Sequence, residues 1–319
     1  MSSRRSPRKQ LLVAGPRGFC AGVERAIATV EHLLDAVEGP LYVRKEIVHN
    51  RAVVDDFVAR GVIFVDELDE VPDGSTVIFS AHGVSPEVRE QAARRGLSVV
   101  DATCPLVTKV HHQVARNAAR GKHILLIGHE GHDEVVGTTG EARGRLTLVT
   151  DESAAASLPL PADSDLYYVT QTTLSVDETE GIIAELKRRR PDMAGPRRSD
   201  ICYATQNRQD AVKALVDEGI ERLLVVGSPN SSNSRRLCEV ARKAGVPADL
   251  VGSLAEVSRD ELSGALRVGL TAGASAPEYL VEEIIDDFRA RGWECRNHVI
   301  MEEDTKFELP AELRGKPDA

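Results

Sequence analysis

The chain runs through one strand-and-helix script three times, and that repetition limits its possible folds more than any other feature. Each segment opens on an apolar stretch that ends at a cysteine: Leu11 to Cys20, Leu97 to Cys104 and Ser199 to Cys202. The spacing predicts a helix after each. Past Cys20, the residues Val23, Ala26, Ile27, Val30, Leu33, Leu34 and Val37 mark one buried helical face, which Gly39-Pro40 ends. Pro105 to Arg120 follows Cys104, with proline at an allowed first-turn position and Gly121 at the end. Ala211, Val212, Leu215 and Val216 line a shorter helix closed by Gly219.

Each segment then predicts a second strand that runs into a polar loop. These are Leu41 to Val48 before His49-Asn50, His123 to Ile127 before Gly128 to His132, and Arg222 to Val226 before Gly227 to Asn233. Short helices lead on to Gly61, Gly144 and Gly245. A later strand ends in Ser80-Ala81-His82-Gly83, in Gln171-Thr172-Thr173 or in Thr271 to Ser275. Ser85, Ser175 and Ser275 stand where a helix N-cap is expected. Alternating strands and helices imply a small parallel sheet covered by helices in each segment.

The expected fold class is α/β, with three similar lobes of small parallel sheet arranged pseudo-threefold about a common centre. The lobes are expected at residues 11–104, with 293–312 packing back onto them, at 105–199 and at 200–292. Lys187 to Ser199 reads as a linker into the third lobe, and Met1 to Gln10 as a solvated tail.

Composition narrows the partners. No stretch approaches about 18 apolar residues, so no membrane span is expected, and the start lacks the pattern of a signal peptide. A net charge of -10 argues against nucleic acid, while leaving room for a local pocket that binds a small anion. Five cysteines, an odd number, point to reduced thiols in the cytoplasm.

In open parallel sheets ligands bind beyond the carboxyl ends of the strands, where all three segments carry their polar loops. If the lobes face one another, Cys20, Cys104 and Cys202 converge, with helix N-termini favouring their thiolates. Three thiolates call for a metal. The short local spacings usual for structural zinc are absent, and a cubane cluster held by only three thiolates leaves one iron open to a ligand. A lone cysteine is usually a small core residue, and Cys238 and Cys295 are read that way. His49, His82 and His132 read singly as ordinary histidines and together as a pocket. The serines before Ser234 either cap a helix or bind phosphate at its N-terminus, and the two roles are compatible. Glu134 alone reads as a first-turn helix acid.

Eight motifs in order carry a family resemblance. They are Gly18-Phe19-Cys20-Ala21-Gly22-Val23, Val48-His49-Asn50, Ser80-Ala81-His82-Gly83, Asp101-Ala102-Thr103-Cys104-Pro105, Gly131-His132-Asp133-Glu134-Val135, Gln171-Thr172-Thr173-Leu174-Ser175, Ser231-Ser232-Asn233-Ser234 and Thr271-Ala272-Gly273-Ala274-Ser275-Ala276-Pro277. From about Leu12 to Phe307 the chain resembles the 4-hydroxy-3-methylbut-2-enyl diphosphate reductases of the non-mevalonate isoprenoid pathway. Asp133 stands where that family often has proline.

The resemblance implies a 4Fe-4S cluster held by Cys20, Cys104 and Cys202, whose open iron takes the substrate hydroxyl. It implies reductive removal of that hydroxyl to give isopentenyl and dimethylallyl diphosphates. Glu134, Thr172 and His132 are implied in catalysis. His49, His82, His132, Thr172, Ser231, Ser232, Asn233 and Ser275 are implied in holding the diphosphate substrate. The electron donor would be a ferredoxin or flavodoxin with its reductase. The rival readings are an iron-sulfur hydro-lyase, which needs no external electrons, and a cluster-based sensor.

Overall fold

In the computed structural model the residues described are 8–160 and 164–314. Their strands are β1 (Gln10–Gly15), β2 (Leu41–Arg44), β3 (Val62–Val65), β4 (Thr76–Phe79), β5 (Ser98–Asp101), β6 (His123–Ile127), β7 (Leu146–Val149), β8 (Leu166–Thr170), β9 (Arg222–Val226), β10 (Ala248–Val251), β11 (Arg267–Ala272) and β12 (Glu294–Val299). The helices are α1 (Ala21–Ala36), α2 (Arg51–Ala59), α3 (Pro86–Arg94), α4 (Pro105–Ala119), α5 (Asp133–Gly140), α6 (Glu152–Ser157), α7 (Val176–Arg189), α8 (Tyr203–Asp217), α9 (Ser232–Lys243) and α10 (Glu278–Ala290).

Three small sheets result, in the orders β10-β9-β11-β1-β12, β3-β2-β4-β5 and β7-β6-β8. Every pairing within them is parallel. The chain falls into two compact units. One comprises the residues up to Cys20, His49–Val53 and Tyr203–Thr305; the other comprises Ala21–Val48, Val54–Cys202 and the residues from Lys306 on.

The first unit holds the five-stranded sheet. Successive residues of β1 point to opposite faces, so Leu11 and Val13 enter one core with Leu270, Val281, Ile284 and Phe288. Leu12 and Ala14 enter another with Val212, Leu215, Leu223 and Leu237. A strand buried on both faces reads as a continuous apolar run, which β1 does. At about 1.5 to 3 kcal/mol for each large side chain buried, that run fixes the strand inside its sheet, between β11 and β12. The second unit holds the other two sheets. In one of these, Leu125 and Ile127 face one core while Ile124 and Leu126 face another.

Sheet membership corrects the expected lobes. β1 pairs with β11 and β12, so the opening strand belongs with the third segment rather than with residues 41–101. The C-terminal segment does pair with β1, but within that third-segment sheet. β5 heads the second repeat in sequence but falls within the expected lobe of residues 11–104, and it closes the sheet of the first segment against β4.

Several elements are also shorter than expected. β1 ends at Gly15 because Pro16 has no N–H to offer a ladder. β2 ends at Arg44 because Lys45 takes a left-handed φ of 61°. Ser199 to Cys202 forms no strand, since Ser199 Oγ takes the N–H of Ile201 at 3.2 Å and bends the chain. The expected linker is not one: α7 runs to Arg189 and Ala194 bridges to Tyr167 beside β8. Of the expected N-terminal tail, residues 1–7 lie outside the described residues and Gln10 opens β1.

Candidate functional site

In the first unit, Cys20 immediately precedes α1 and is half-buried. The loop that leads to it is pinned at several points. Gly18 and Cys20 donate their N–H groups to the carbonyls of Ala272 and Ala274, at 3.4 and 3.2 Å. Arg208, fully buried on α8, donates to the carbonyls of Gly18 and Phe19 and pairs with Glu303 at 3.0 Å. Gly18 has φ +68°, and a Cβ there would sit 3.3 Å from Glu278 Oε2, so the turn before Cys20 requires glycine.

The serine cluster sits at the start of α9. Ser231 is its N-cap: the hydroxyl oxygen accepts from Ser234 N at 3.3 Å and from Ser234 Oγ at 3.0 Å. The capping reading of Ser231 is therefore realised. Ser232 and Asn233 follow within the first turn, both buried. Asn233 is 4% exposed, yet neither its Nδ2 nor its Oδ1 has a hydrogen-bond partner among the described residues. Leaving a buried amide unpaired costs about 1 to 3 kcal/mol, which marks the position as built for something else. Ser275 corrects an expectation, because the N-cap of α10 is Pro277. The Ser275 hydroxyl instead donates to the carbonyl of His49 at 2.9 Å, bringing two of the expected site residues together.

In the second unit, Cys104 is the N-cap of α4, and its N–H donates to the carbonyl of Ala81 at 3.0 Å. The approach to it is rigid. Thr103 N donates to Asp101 Oδ1 at 2.9 Å, and Arg25 Nη1 donates to the carbonyl of Thr103 at 2.9 Å. Burial alone would raise the Asp101 carboxyl, but Arg89 and Thr103 outweigh it and hold that group below the usual range. Cys202 immediately precedes α8, and its N–H donates to the carbonyl of Thr172 at 3.0 Å. His82 accompanies Ser80, whose Oγ lies 3.2 Å from His82 Nδ1. The rings of His82 and His132 meet edge to face at 5.9 Å. Gly83 has φ +80°, and a Cβ there would collide with His111 at 2.8 Å, so this strand end also requires glycine.

Glu134 departs most from its isolated reading. It lies in the first turn of α5, but it is only 2% exposed and its carboxylate turns inward. Oε1 accepts from Thr172 N at 2.6 Å and Oε2 from Thr172 Oγ1 at 2.9 Å. Burial pushes its carboxyl up to about 7, partly opposed by the two Thr172 bonds, with the Asp200 charge adding to the rise. His132 caps the same helix through Nδ1, which accepts from Glu134 N at 3.2 Å. Glu134, Thr172 and the Cys202 amide thus form one connected chain. A carboxyl poised near neutrality and bonded to a hydroxyl can hold or release a proton at Oε2.

Sequence reasoning missed Arg208 and Asp200. Asp200 Oδ1 accepts from Gln113 Nε2 at 2.8 Å and lies 3.2 Å from Lys109 Nζ. Neither residue stands in a strand-end loop, and only the folded chain reveals that their charges are buried.

The remaining cysteines are of another kind. Burial pushes the Cys238 thiol up to about 12 and raises that of Cys295. Such thiols are poor ligands. Cys20, Cys104 and Cys202 instead each stand at the start of a helix, and the soft sulfur set suits iron-sulfur or zinc.

Fold and site define a class: α/β proteins of three small parallel sheets, with cysteines leading helices and a buried acid beside a hydroxyl. The family model described as LytB protein matches residues 11–289, and the chain belongs to that family. It is 52% identical over 308 residues to a 4-hydroxy-3-methylbut-2-enyl diphosphate reductase of Actinobacillus pleuropneumoniae, covering 95% of this chain and 98% of that protein. It is 54% identical over 310 residues to the protein of that name in Xanthomonas axonopodis, with coverages of 95% and 98%. Among solved structures, the E-1-hydroxy-2-methyl-but-2-enyl-4-diphosphate reductase of Plasmodium falciparum superposes with a TM-score of 0.92 at 38% identity, over 95% of this chain and 96% of that one.

Proposed function

We propose that this chain reduces 4-hydroxy-3-methylbut-2-enyl diphosphate, removing its allylic hydroxyl as water to give isopentenyl and dimethylallyl diphosphates. The reaction consumes two electrons and two protons. The observation that carries the reading is the Glu134 carboxyl, buried, raised to about 7 and bonded to Thr172, whose carbonyl holds the N–H of Cys202.

Cys20, Cys104 and Cys202 would hold a 4Fe-4S cluster, and the donor set fits: three half-buried sulfurs, each at the start of a helix. When bound, the cluster would supply the electrons and a Lewis-acid position for the substrate hydroxyl. Glu134, protonated up to about pH 7, donates through the Thr172 hydroxyl, so the departing oxygen leaves as water rather than hydroxide. His132 orients Glu134 by capping its helix. The unpartnered amide of Asn233, with Ser231 and Ser232 at the start of α9, offers donors to a diphosphate, as helix N-termini do. Ser275, His49 and His82 complete the anion-binding set. An oxygen-labile cluster requires a reducing compartment, for which we assign the cytoplasm, with a ferredoxin or flavodoxin system as donor.

Anaerobic reconstitution tests the reading. Purified chain should bind about four irons per molecule if the expected cubane forms. It should turn the hydroxylated diphosphate into the two isomers only when a reductant is present. Turnover without reductant would instead make it a hydro-lyase, and diphosphate-independent iron binding with no turnover would leave a sensor.

A further inference from the structure

Helix α4 and the segment leading to Cys202 border an open cleft of about 1040 Å³, and its lining includes none of the residues assigned above to the substrate. Lys109, Arg116, Arg120, Arg197 and Arg198 line it, and no aspartate or glutamate does. On a chain of net charge -10, that is a local reversal of sign. Among the described residues, the side chains of Arg116, Arg120, Arg197 and Arg198 make no hydrogen bond or ion pair, and all four are exposed. Most other arginines among the described residues are paired, as Arg44, Arg89, Arg208 and Arg222 are.

The position of the cleft matters as much as its charge. Its wall begins at Pro105, the residue after Cys104, and its other side runs through Gly195 to Arg198, a few residues before Cys202. The two sides are stapled beneath it, where Asp200 accepts from Gln113 and lies beside Lys109. Gln113 in turn accepts from the Tyr167 hydroxyl at 3.0 Å. Of the three cysteines proposed to hold the cluster, Cys104 directly precedes the lining residue Pro105 and Cys202 follows Arg198 by four residues.

We infer that this cleft is where the electron donor proposed above, a small acidic carrier protein, docks. The inference rests on the proposed reductase reading. Each turnover breaks one C–O bond, forms one C–H bond and releases water, taking two protons and two electrons, so two reduced carriers are oxidised for each product. Electron transfer weakens steeply with distance, so a carrier must seat close to the cluster-bearing helices. An acidic carrier would be repelled by most of this chain, and the unpaired arginines give it one attractive entry.

The test compares two reductants on the reconstituted holoenzyme and on its Arg116→Glu/Arg197→Glu/Arg198→Glu variant. The donors are a reduced ferredoxin or flavodoxin of negative net charge, and reduced methyl viologen. With the protein donor, kcat/KM should fall about 100-fold and lose its steep dependence on ionic strength. With methyl viologen, turnover should not fall. Equal kcat/KM for the protein donor in both enzymes would overturn the inference. So would a variant that loses only its binding to heparin or RNA, because the cleft would then be a polyanion site. If the parent turns over with neither donor, the reductase reading itself has failed. Should the triple variant lose methyl viologen turnover, Arg197→Ala/Arg198→Ala, confined to an exposed segment, carries the same comparison with an expected loss of about tenfold.

Discussion

Arg208 and Gly18 stand 190 positions apart, yet two guanidinium nitrogens of the first reach the carbonyl oxygen of the second, at 2.8 and 3.2 Å. The arginine side chain is fully buried and completes its bonding at Ala204, Phe19 and Glu303. A planar fork is required to span these acceptors, which is why lysine would not serve. This contact fixes the turn from which Cys20 projects.

Arg208→Met should therefore act on both stability and cluster loading. Removing one partner of a buried pair leaves Glu303 without its counter-charge, with only Asn207 Nδ2 still donating to it, and takes the guanidinium from the carbonyls of Gly18, Phe19 and Ala204, so about 3 to 5 kcal/mol should be lost. Iron per chain should fall even where the chain stays folded at low temperature, and Arg208→Lys should recover little of it. Urea unfolding together with iron analysis checks this, and a stable variant that loads iron normally would show that the turn holds itself.

The repetition in the sequence located the helices and the polar loops well, because helical faces and strand-end glycines leave local signatures. Sheet membership was not legible, since β1 is apolar on both faces from Leu11 to Ala14 and says nothing about which strands flank it. Ser275 was misread for a related reason. Its spacing from an acidic run fits an N-cap, but Pro277 takes that place and the hydroxyl turns to His49. Glu134 reads as a first-turn acid on its own and as catalytic only through the resemblance, because the burial and the Thr172 bonds that give it a proton-holding environment arise in the fold. What the sequence lacks in each case is the partner brought in from far along the chain.

The five cysteines should divide cleanly. Cys20→Ser, Cys104→Ser and Cys202→Ser should each lose iron and turnover. Cys238→Ala and Cys295→Ala should keep both, the former at a cost of about 1 to 2 kcal/mol for the small buried cavity. Because burial pushes its thiol up to about 12, Cys238 should also resist alkylation in the native protein at pH 8. Mass spectrometry of the alkylated apoprotein checks this, and rapid labelling of Cys238 would contradict its burial.

Asn233→Ala should move stability and binding in opposite directions. The asparagine amide is buried with both polar atoms unpartnered, so its removal relieves a desolvation cost. The substrate-free protein should gain about 1 kcal/mol or more, while affinity for the diphosphate weakens by about tenfold. Thermal unfolding and calorimetry with the diphosphate read the two effects separately. A loss of stability would mean that the amide is paired in solution and serves the fold.

Glu134→Gln separates proton supply from everything else at the site. The carboxyl is raised from 4.5 to about 7, so between those values the folded chain holds a proton that the unfolded chain has released. Stability from this group therefore falls as pH rises from 4.5 to about 7 and is level above that, a total of about 3 kcal/mol. Glutamine does not titrate, so the variant should lose that slope and be the more stable protein at pH 8. Its Oε1 can still accept from Thr172 N, and its Nε2 can donate to the Thr172 hydroxyl, so the local geometry has the bonds it needs. Iron content and diphosphate affinity should stay near those of the parent, while turnover falls by about a hundredfold or more. In the parent, turnover should decline above pH of about 7 as the acid form is lost, and the residual turnover of the variant should show no such decline. If the variant retains the parent's rate and its pH profile, the proton comes from elsewhere and Glu134 serves only to position Thr172.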